Sequence, residues 1–342
     1  MTRRSLYFVG PRAVDVRETP IPEPTGEELL VRTEASAISP GTELLIYNNN
    51  VPEELPADVH LDALAGSLEY PLRYGYAAVG RVEAVGESVD DEWLGRRVFA
   101  FHPHESHFCA TVDQLHVVPE EISTPAATLL PTVETACTLV LDGHPRLGER
   151  VVVFGQGMIG LTTTALLGEF PIELVAVDPI ASRREHARRL GATASVHPDE
   201  LGAVCSLPGE SHTAEPQGAD LCYELSGNPT ALDSAVSTTG YDGRIIVGSW
   251  YGTKLTELDL GGRFHRSRIS ISSSQVSTID PSLRGRWDRS RRLRLAWDRL
   301  AELPVDELLT EQYPIEAAPE AYQRLAKKEN DTLGVYFTYE RS

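Results

Sequence analysis

The sequence predicts an α/β protein of two domains, a twisted barrel-like β domain and a doubly wound parallel sheet with helices on both faces. Three observations carry this expectation. At 342 residues the chain is long enough for two ordinary cores. Its first third is rich in short β-type runs punctuated by Pro and Gly. From about Thr128 apolar strand-like runs alternate with helical ones, as strands buried on both faces require.

In the first part, LLVRTEAS, GRVEAVG, RRVFAF and QLHVVPE read as the barrel strands. TLLPTVETACTLVLDG is a helix leading to VVVF; a helix-like run, ELVAVD and SRREHARRLGA follow. ADLCYELSG, a helix through ALDSAVSTT, GRIIVGSW and RISISSS continue the alternation. The basic cluster RGRWDRSRRLRLAWDR, Arg284 to Arg299, is expected to be a solvated helix face with Trp287, Leu293, Leu295 and Trp297 on its buried side. The segment LLTEQYPIEAAPEAYQRLAKK and a strand GVYFTY close the chain.

The net charge is −19, and Lys254, Lys327 and Lys328 are the only lysines. Such an acidic surface argues against nucleic-acid and anionic-membrane partners, which need clustered positive charge. Acid enrichment together with lysine depletion points to high salt, where screening tames self-repulsion. No run of about eighteen apolar residues is present, so no membrane span is expected. The N-terminus lacks a long apolar stretch and a small-residue cleavage site, so no signal peptide is read there. Cys109, Cys137, Cys205 and Cys222 are scattered without close pairing, which fits a reducing cytoplasm.

The strongest local motif is VVVFGQGMIGLTTTALL, in which Gly155, Gly157 and Gly160 have the G-x-G-x-x-G spacing between an apolar strand and a helix. The first glycine allows the turn, the second lets the backbone approach a pyrophosphate, and the third lets helix and strand pack closely. The diphosphate would sit at the helix N-terminus, where free N–H groups favour anions. Asp178, at the end of ELVAVD, is placed to accept both ribose hydroxyls and to repel a 2′-phosphate. NAD(H) is therefore expected over NADP(H), with Arg183 and Arg184 nearby keeping NADP possible. Gln156, Met158, Ile159, Arg183, Ser226 and Gly248 are counted with the three glycines and Asp178 as cofactor contacts.

With these motifs in place, the chain resembles the medium-chain dehydrogenase/reductase superfamily, the alcohol-dehydrogenase-like proteins. The resemblance runs in order through PIPEPTGEELLVRTEASAIS, YGYAAVGRVEAVG, GRRVFAF, GERVVVFGQGMIGL, DPIASRREHARRLGA, GADLCYELSGNPTALDSAV, GRIIVGSWYG and YPIEAAPEAYQRL. ISPGTELLIY and HRSRISISSSQV look most like the bacteriochlorophyllide dehydrogenase-like branch. It implies a GroES-like β-barrel catalytic domain over 1–122 and 276–342, a Rossmann domain over 123–275, substrate in the cleft between them, and a homodimer. RISISSS would be the edge strand that pairs across the twofold axis.

The family's zinc pattern is broken. Zinc members carry a cysteine in I-C-G-[ST]-D, where this chain has Ile38-Ser39-Pro40-Gly41-Thr42-Glu43, and Gly-His-Glu where it has Gly75-Tyr76-Ala77. Only Glu134, in PTVETAC, stands at a third ligand position, and the four-cysteine structural zinc lobe is missing. Zinc needs thiolate, imidazole or carboxylate ligands, so no catalytic or structural zinc is expected.

Tyr76 takes a metal-ligand position, and its phenol would donate a hydrogen bond to a substrate carbonyl or pass a proton; the other reading is an aromatic filling the vacated pocket. Thr42 matches the hydroxyl that relays protons in zinc members. Glu134 would orient Tyr76 or a water, or remain without a role. Glu43 is expected to pair with an arginine or cap backbone N–H groups. His265, Arg266 and Gln275 lie near the end of the cofactor domain; one reading has His265 and Arg266 meet the substrate, and the default is core packing or helix contacts.

The replacement loop FHPHESHFCAT holds His102, His104, His107 and Cys109. Their alternating spacing points neighbours to opposite sides of an extended chain, against a shared metal. His104 is the preferred proton shuttle among them. The expected activity is zinc-independent NAD(P)(H)-dependent interconversion of an alcohol and a carbonyl, or reduction of an activated double bond. The alternatives are a metal-dependent alcohol dehydrogenase using the His-rich loop and a non-catalytic nucleotide-binding redox sensor.

Overall fold

The computed structural model describes residues 2–52, 54–56, 62–64, 66–204, 218–327 and 331–340; Cys205 and Lys328 lie outside them. The chain folds into two compact units, Met1–Pro131 with Trp297–Ser342, and Thr132–Ala296. They divide further along the chain than 122 and 275, because both crossings fall within helices, Leu130–Gly143 and Arg289–Glu302. No helix among the described residues is long and apolar enough to cross a membrane.

The first unit is built on a seven-stranded sheet whose hub is the strand Glu28–Ala37. That strand pairs antiparallel with Ala78–Val85, His107–Thr111 and Gly334–Thr338. Being sandwiched in this way, it is buried along most of its length, with Leu29 and Val31 fully enclosed. Gly80 lies where the two central backbones pinch together; a Cβ there would sit 2.2 Å from the Arg32 carbonyl oxygen. A second layer consists of the hairpin Thr2–Gly10 with Ala13–Pro20 and the helices Pro40–Tyr47 and Ala318–Ala326. Phe8, Ile46, Tyr322 and Phe337 form its apolar centre. Each such side chain removed from water contributes about 1.5–3 kcal/mol.

The second unit is a six-stranded parallel sheet in the order Ala194–Val196, Glu173–Val177, Arg150–Phe154, Ala219–Glu224, Thr239–Val247, Ser270–Ser273. The unbroken apolar runs VVVF and LVAV form its middle because both faces of a parallel sheet are covered. The first strand of this unit, Arg150–Phe154, lies between the second and the fourth, so the chain reverses its direction of travel there. A crevice opens beyond the carboxyl ends of strands at such a switch point, and the loops that follow are residues 155–157 and 225–227.

The basic cluster is not simply a solvated face. In the helix Arg289–Glu302, the residues at successive turns, Arg292, Ala296 and Leu300, are buried. Arg292 is the largest fully enclosed side chain in the described structure, at 2% exposure. Its neighbours fasten the preceding loop instead of lying free: Arg284 donates to the Ile279 carbonyl, Arg289 to that of Ser277, and Arg292 to that of Thr278.

Candidate active site

The glycine loop shows three separate reasons for its three glycines. Gly155 has φ +90°, and a Cβ there would meet Ser226 Cα at 2.6 Å, so this turn is closed to side chains. Gly160 packs its helix onto the loop, with a Cβ falling 1.9 Å from the Gly155 carbonyl oxygen. Gly157, the N-cap of Met158–Leu167, faces open space, and a methyl group added to it would meet nothing within 4 Å. Open volume at a helix N-terminus with unsatisfied N–H groups is what a pyrophosphate needs.

Around the loop, Asp178 is 3% exposed, and its two oxygens accept backbone N–H groups of Gln156 (2.7 Å) and Ile180 (2.8 Å). A carboxylate has about four acceptor positions, so ribose hydroxyls can still be taken, and the same residue also braces the loop. The Gln156 side chain turns inward, donating to Val153 O and accepting from Thr164; only its backbone faces the loop. Arg184 donates to the carbonyls of Asp178 and Pro179. Glu224, fully buried, accepts from Ser226 N and Gly227 N and from the Tyr251 hydroxyl, fixing Ser226 against Gly155. Gly248 has a packing role, since a Cβ there would lie 2.6 Å from methyl groups of Leu139 and Leu225. Met158 is nearly buried, while Ile159 and Arg183 are half-buried.

In the first unit, Tyr76 is half-buried, its ring set edge-on to Tyr74 with centroids 6.2 Å apart. Its hydroxyl is hydrogen-bonded to Ser39 Oγ and stands 3.4 Å from Thr42 Oγ1. Ser39 is the N-cap of Pro40–Tyr47, yet its side chain does not cap the helix. That task falls to Glu43, whose Oε1 accepts the Ser39 N–H at 2.7 Å and leaves the serine hydroxyl to Tyr76. An acidic residue in the first turn also suits the helix dipole.

Glu43 is fully buried and, among the described residues, is not paired with an arginine. Its Oε2 accepts from His104 Nε2 at 3.1 Å and from the Tyr322 hydroxyl. His104, also fully buried, bonds through Nδ1 to Ser36 Oγ at 2.6 Å, and Ser36 bonds to the Tyr339 hydroxyl at 2.6 Å. Burial first, and then the Glu43 carboxylate, hold the Tyr322 phenol well above its ordinary pKa. His104 thus lies beneath the tyrosine site and not on a solvent-facing rim.

The other loop residues go separate ways. His102 stacks on Phe108 with centroids 3.9 Å apart, and burial pushes its pKa down to about 4. His107 sits on the sheet, its Nε2 3.5 Å from Glu83. The Cys109 thiol is pushed up to about 11, mainly by burial. Glu105 anchors the loop through ion pairs to Arg3 and Arg73. Among the described residues, no three His, Cys, Asp or Glu side chains are placed to hold a metal ion.

Glu134 is held by Arg292, whose Nη2 and Nε lie 2.9 and 3.2 Å from one carboxylate oxygen. Burial raises the Glu134 pKa and the guanidinium opposes this. Both of these hydrogen bonds use Oε1 of the carboxylate. His265 and Arg266 are exposed, and Gln275 accepts from Ser277 N.

Relatives cover the chain from end to end. D-guloside 3-dehydrogenase of Escherichia coli K12 is 26% identical over 336 residues, spanning 94% of this chain and 95% of that protein. Sorbitol dehydrogenase of Bacillus subtilis is 21% identical over 358 residues, spanning 95% and 94%. The family model described as zinc-binding dehydrogenase matches residues 158–292. The crystal structure of 2R,3R-butanediol dehydrogenase from Bacillus subtilis superposes with a TM-score of 0.77 at 17% identity, covering 98% of this chain and 99% of that one. The chain is similar to medium-chain dehydrogenases/reductases over more than nine tenths of its length. Its likeness to these dehydrogenases makes it an NAD(P)-dependent oxidoreductase. An alcohol dehydrogenase of Escherichia coli CFT073 solved with NADH has the same fold, with a TM-score of 0.77 at 19% identity over 98% of this chain and 99% of that one.

Where zinc-type members of that superfamily hold the catalytic metal, the donor set of this chain is a poor fit to zinc. Serine, proline, tyrosine and alanine offer no thiolate, imidazole or carboxylate, and the remaining carboxylate, Glu134, is matched to a guanidinium. Motif reasoning singled out Tyr76, Thr42 and the glycine loop. It did not find Ser39, Ser36, Tyr322, Tyr339, Glu224 or the Arg292 partner of Glu134. The available signal for Ser39 was its position immediately before Pro40, a helix start whose cap hydroxyl is then free to be used elsewhere.

Proposed function

We propose that this oxidoreductase interconverts an alcohol and a carbonyl without zinc, with Tyr76 performing the polarising role that the metal has in zinc-type relatives. The observation that carries this reading is the group of three hydroxyls, with Tyr76 and Ser39 where the family has metal ligands and Thr42 where it has the relay hydroxyl. When bound, the nicotinamide supplies or accepts the hydride. Tyr76 donates its O–H to the substrate oxygen as negative charge develops there, and in oxidation takes up the alcohol proton. In reduction Ser39 or Thr42 returns a proton to the phenol oxygen, and in oxidation the phenol hands its own proton to one of them as it takes up the alcohol's, so its single hydrogen always has one destination. Reduction of an activated double bond would use the same donor.

NAD(H) is the preferred cofactor, supported by the Asp178 carboxylate beside the glycine loop. NAD(H) is expected to bind at least tenfold more tightly than NADP(H), about 1.4 kcal/mol, and Asp178→Asn to narrow that ratio. Equal affinities in the unmodified protein, measured by fluorescence titration, would remove the assignment. The protein is further proposed to work as a homodimer in a salt-rich, reducing cytoplasm. The edge strand Ser270–Ser273, with its exposed face, supports the dimer.

The sorbitol, butanediol and guloside named for the relatives all carry neighbouring hydroxyls, so vicinal diols and glycosides are the first substrates to test. Protein dialysed against EDTA and freed of zinc by elemental analysis is expected to turn over a member of such a panel with NAD+ at its undialysed rate. Loss on chelation with recovery on adding zinc would refute the metal-free reading. Tight NAD(H) binding with no turnover across the panel would favour the sensor instead.

A further inference from the structure

Beneath Tyr76 lies a buried polar cluster to which the proposed reaction assigns no step. Glu43 and His104 are both fully enclosed, yet they are joined to each other and to Ser36, Tyr322 and Tyr339. Buried polar groups of this kind are costly unless each finds a partner. Two arms of the cluster converge on one residue. Through Oε1, Glu43 fixes the N–H of Ser39, the serine whose hydroxyl is bonded to Tyr76. The His104 ring, for its part, occupies the space beside Gly75, the residue preceding Tyr76; a Cβ on Gly75 would lie 2.7 Å from its Nε2. One arm sets the hydroxyl's partner and the other sets the backbone turn.

We infer that Glu43 and His104 form a positioning pair that holds the Tyr76 phenol in a single orientation, from the Ser39 side and the Gly75 side at once. The inference rests on the proposed catalytic role of Tyr76 for its kinetic consequence, and on geometry alone for the ordering. Both residues are fully enclosed. Glu43 acts through an amide N–H, which orients and does not relay. Catalytic groups need support of this sort because small misplacements cost rate steeply.

The ordering is tested without substrate by placing 3-fluorotyrosine at position 76 and recording its fluorine NMR resonance, with a second probe at Tyr241. Tyr241 belongs to the other unit and is 69% exposed, so it reports only general damage. The unmodified protein is expected to give one narrow resonance for position 76. Glu43→Gln, and the milder Ser36→Ala should Glu43→Gln fold poorly, are expected to broaden or split it and leave Tyr241 unchanged. A position-76 resonance indifferent to both substitutions overturns the inference, as does an equal disturbance of the two probes.

Kinetics supply the second arm, using a diol or glycoside that the protein turns over with NAD+. Glu43→Gln is expected to lower kcat by roughly 10- to 10²-fold, with the KM for NAD+ within about twofold. In the Tyr76→Phe background the same change is expected to cost nothing more, since residues acting through one group are non-additive. Full multiplication of the two losses overturns the positioning role and leaves Tyr76 standing. Full activity in Tyr76→Phe alone removes the catalytic role, and the fluorine result then decides the ordering by itself.

Discussion

His102 and His104 are two positions apart and have opposite environments. His104 is met by a carboxylate and a hydroxyl, whereas His102 is stacked on Phe108 and its pKa is driven down to about 4 from an ordinary value of 6.5. Lowering the folded value means that the unfolded chain binds the proton first. Stability from neutral His102 is therefore fully present above about pH 6.5 and is lost as pH falls towards 4. Thermal unfolding between pH 7 and 5 is expected to show a falling midpoint, and His102→Phe to lessen that fall by about 3 °C or more. An unchanged slope in the variant would show that another group is responsible. At this scale the sequence is a poor guide, because FHPHESHFCAT gives no sign of which imidazole turns to which partner. The Glu43 and Glu134 pairings close over 61 and 158 residues, and no local pattern records contacts of that separation.

The glycine loop is the element whose chemistry is most local and so most legible. All three of its glycine roles are decided within a strand, a turn and a helix; the structure has the tight turn at Gly155 and the close packing at Gly160, and leaves open space at Gly157. The roles differ enough to be separated by experiment. Gly157→Ala meets open space at a φ of −79° and is expected to leave the melting midpoint almost unchanged while weakening NAD(H) binding by about tenfold or more, 1.4 kcal/mol. Gly160→Ala must displace the Gly155 carbonyl and is expected to lower the midpoint by several degrees, on the order of 2 kcal/mol. Calorimetry and NADH fluorescence distinguish them, and a destabilised Gly157→Ala with normal affinity would contradict this assignment. The helix Arg289–Glu302 shows the opposite case. Its composition suggested a wet surface, but the buried stripe at every fourth residue runs through Arg292, which is neutralised by a glutamate that sequence reading assigned elsewhere.

For the whole molecule, the alternation of strands and helices and the order of motifs were sufficient for the fold, since a parallel sheet and a mixed barrel impose different periodicities. The places where the two units divide were less legible, because uninterrupted helices carry the chain across. Charge acts at this scale as well. A net charge of −19 on 342 residues produces self-repulsion that salt screens. The melting midpoint is expected to rise by about 10 °C or more between 0.1 and 2 M KCl, several kcal/mol in a chain of this size. A flat or falling midpoint would show that the acidic surface is not an adaptation to salt.

The central claim is that a phenol has taken the place of a metal, and one variant bears on it most directly. Tyr76→Phe removes a single oxygen from a half-buried ring, so folding and NAD(H) affinity are expected to remain as they were. With EDTA present throughout and a diol or glycoside that the unmodified protein oxidises, kcat is expected to fall by roughly 10²-fold or more, the scale of losing a positioned proton donor. Retention of near-full kcat in Tyr76→Phe would contradict the account and leave the ring as filler of the space that the metal site once occupied.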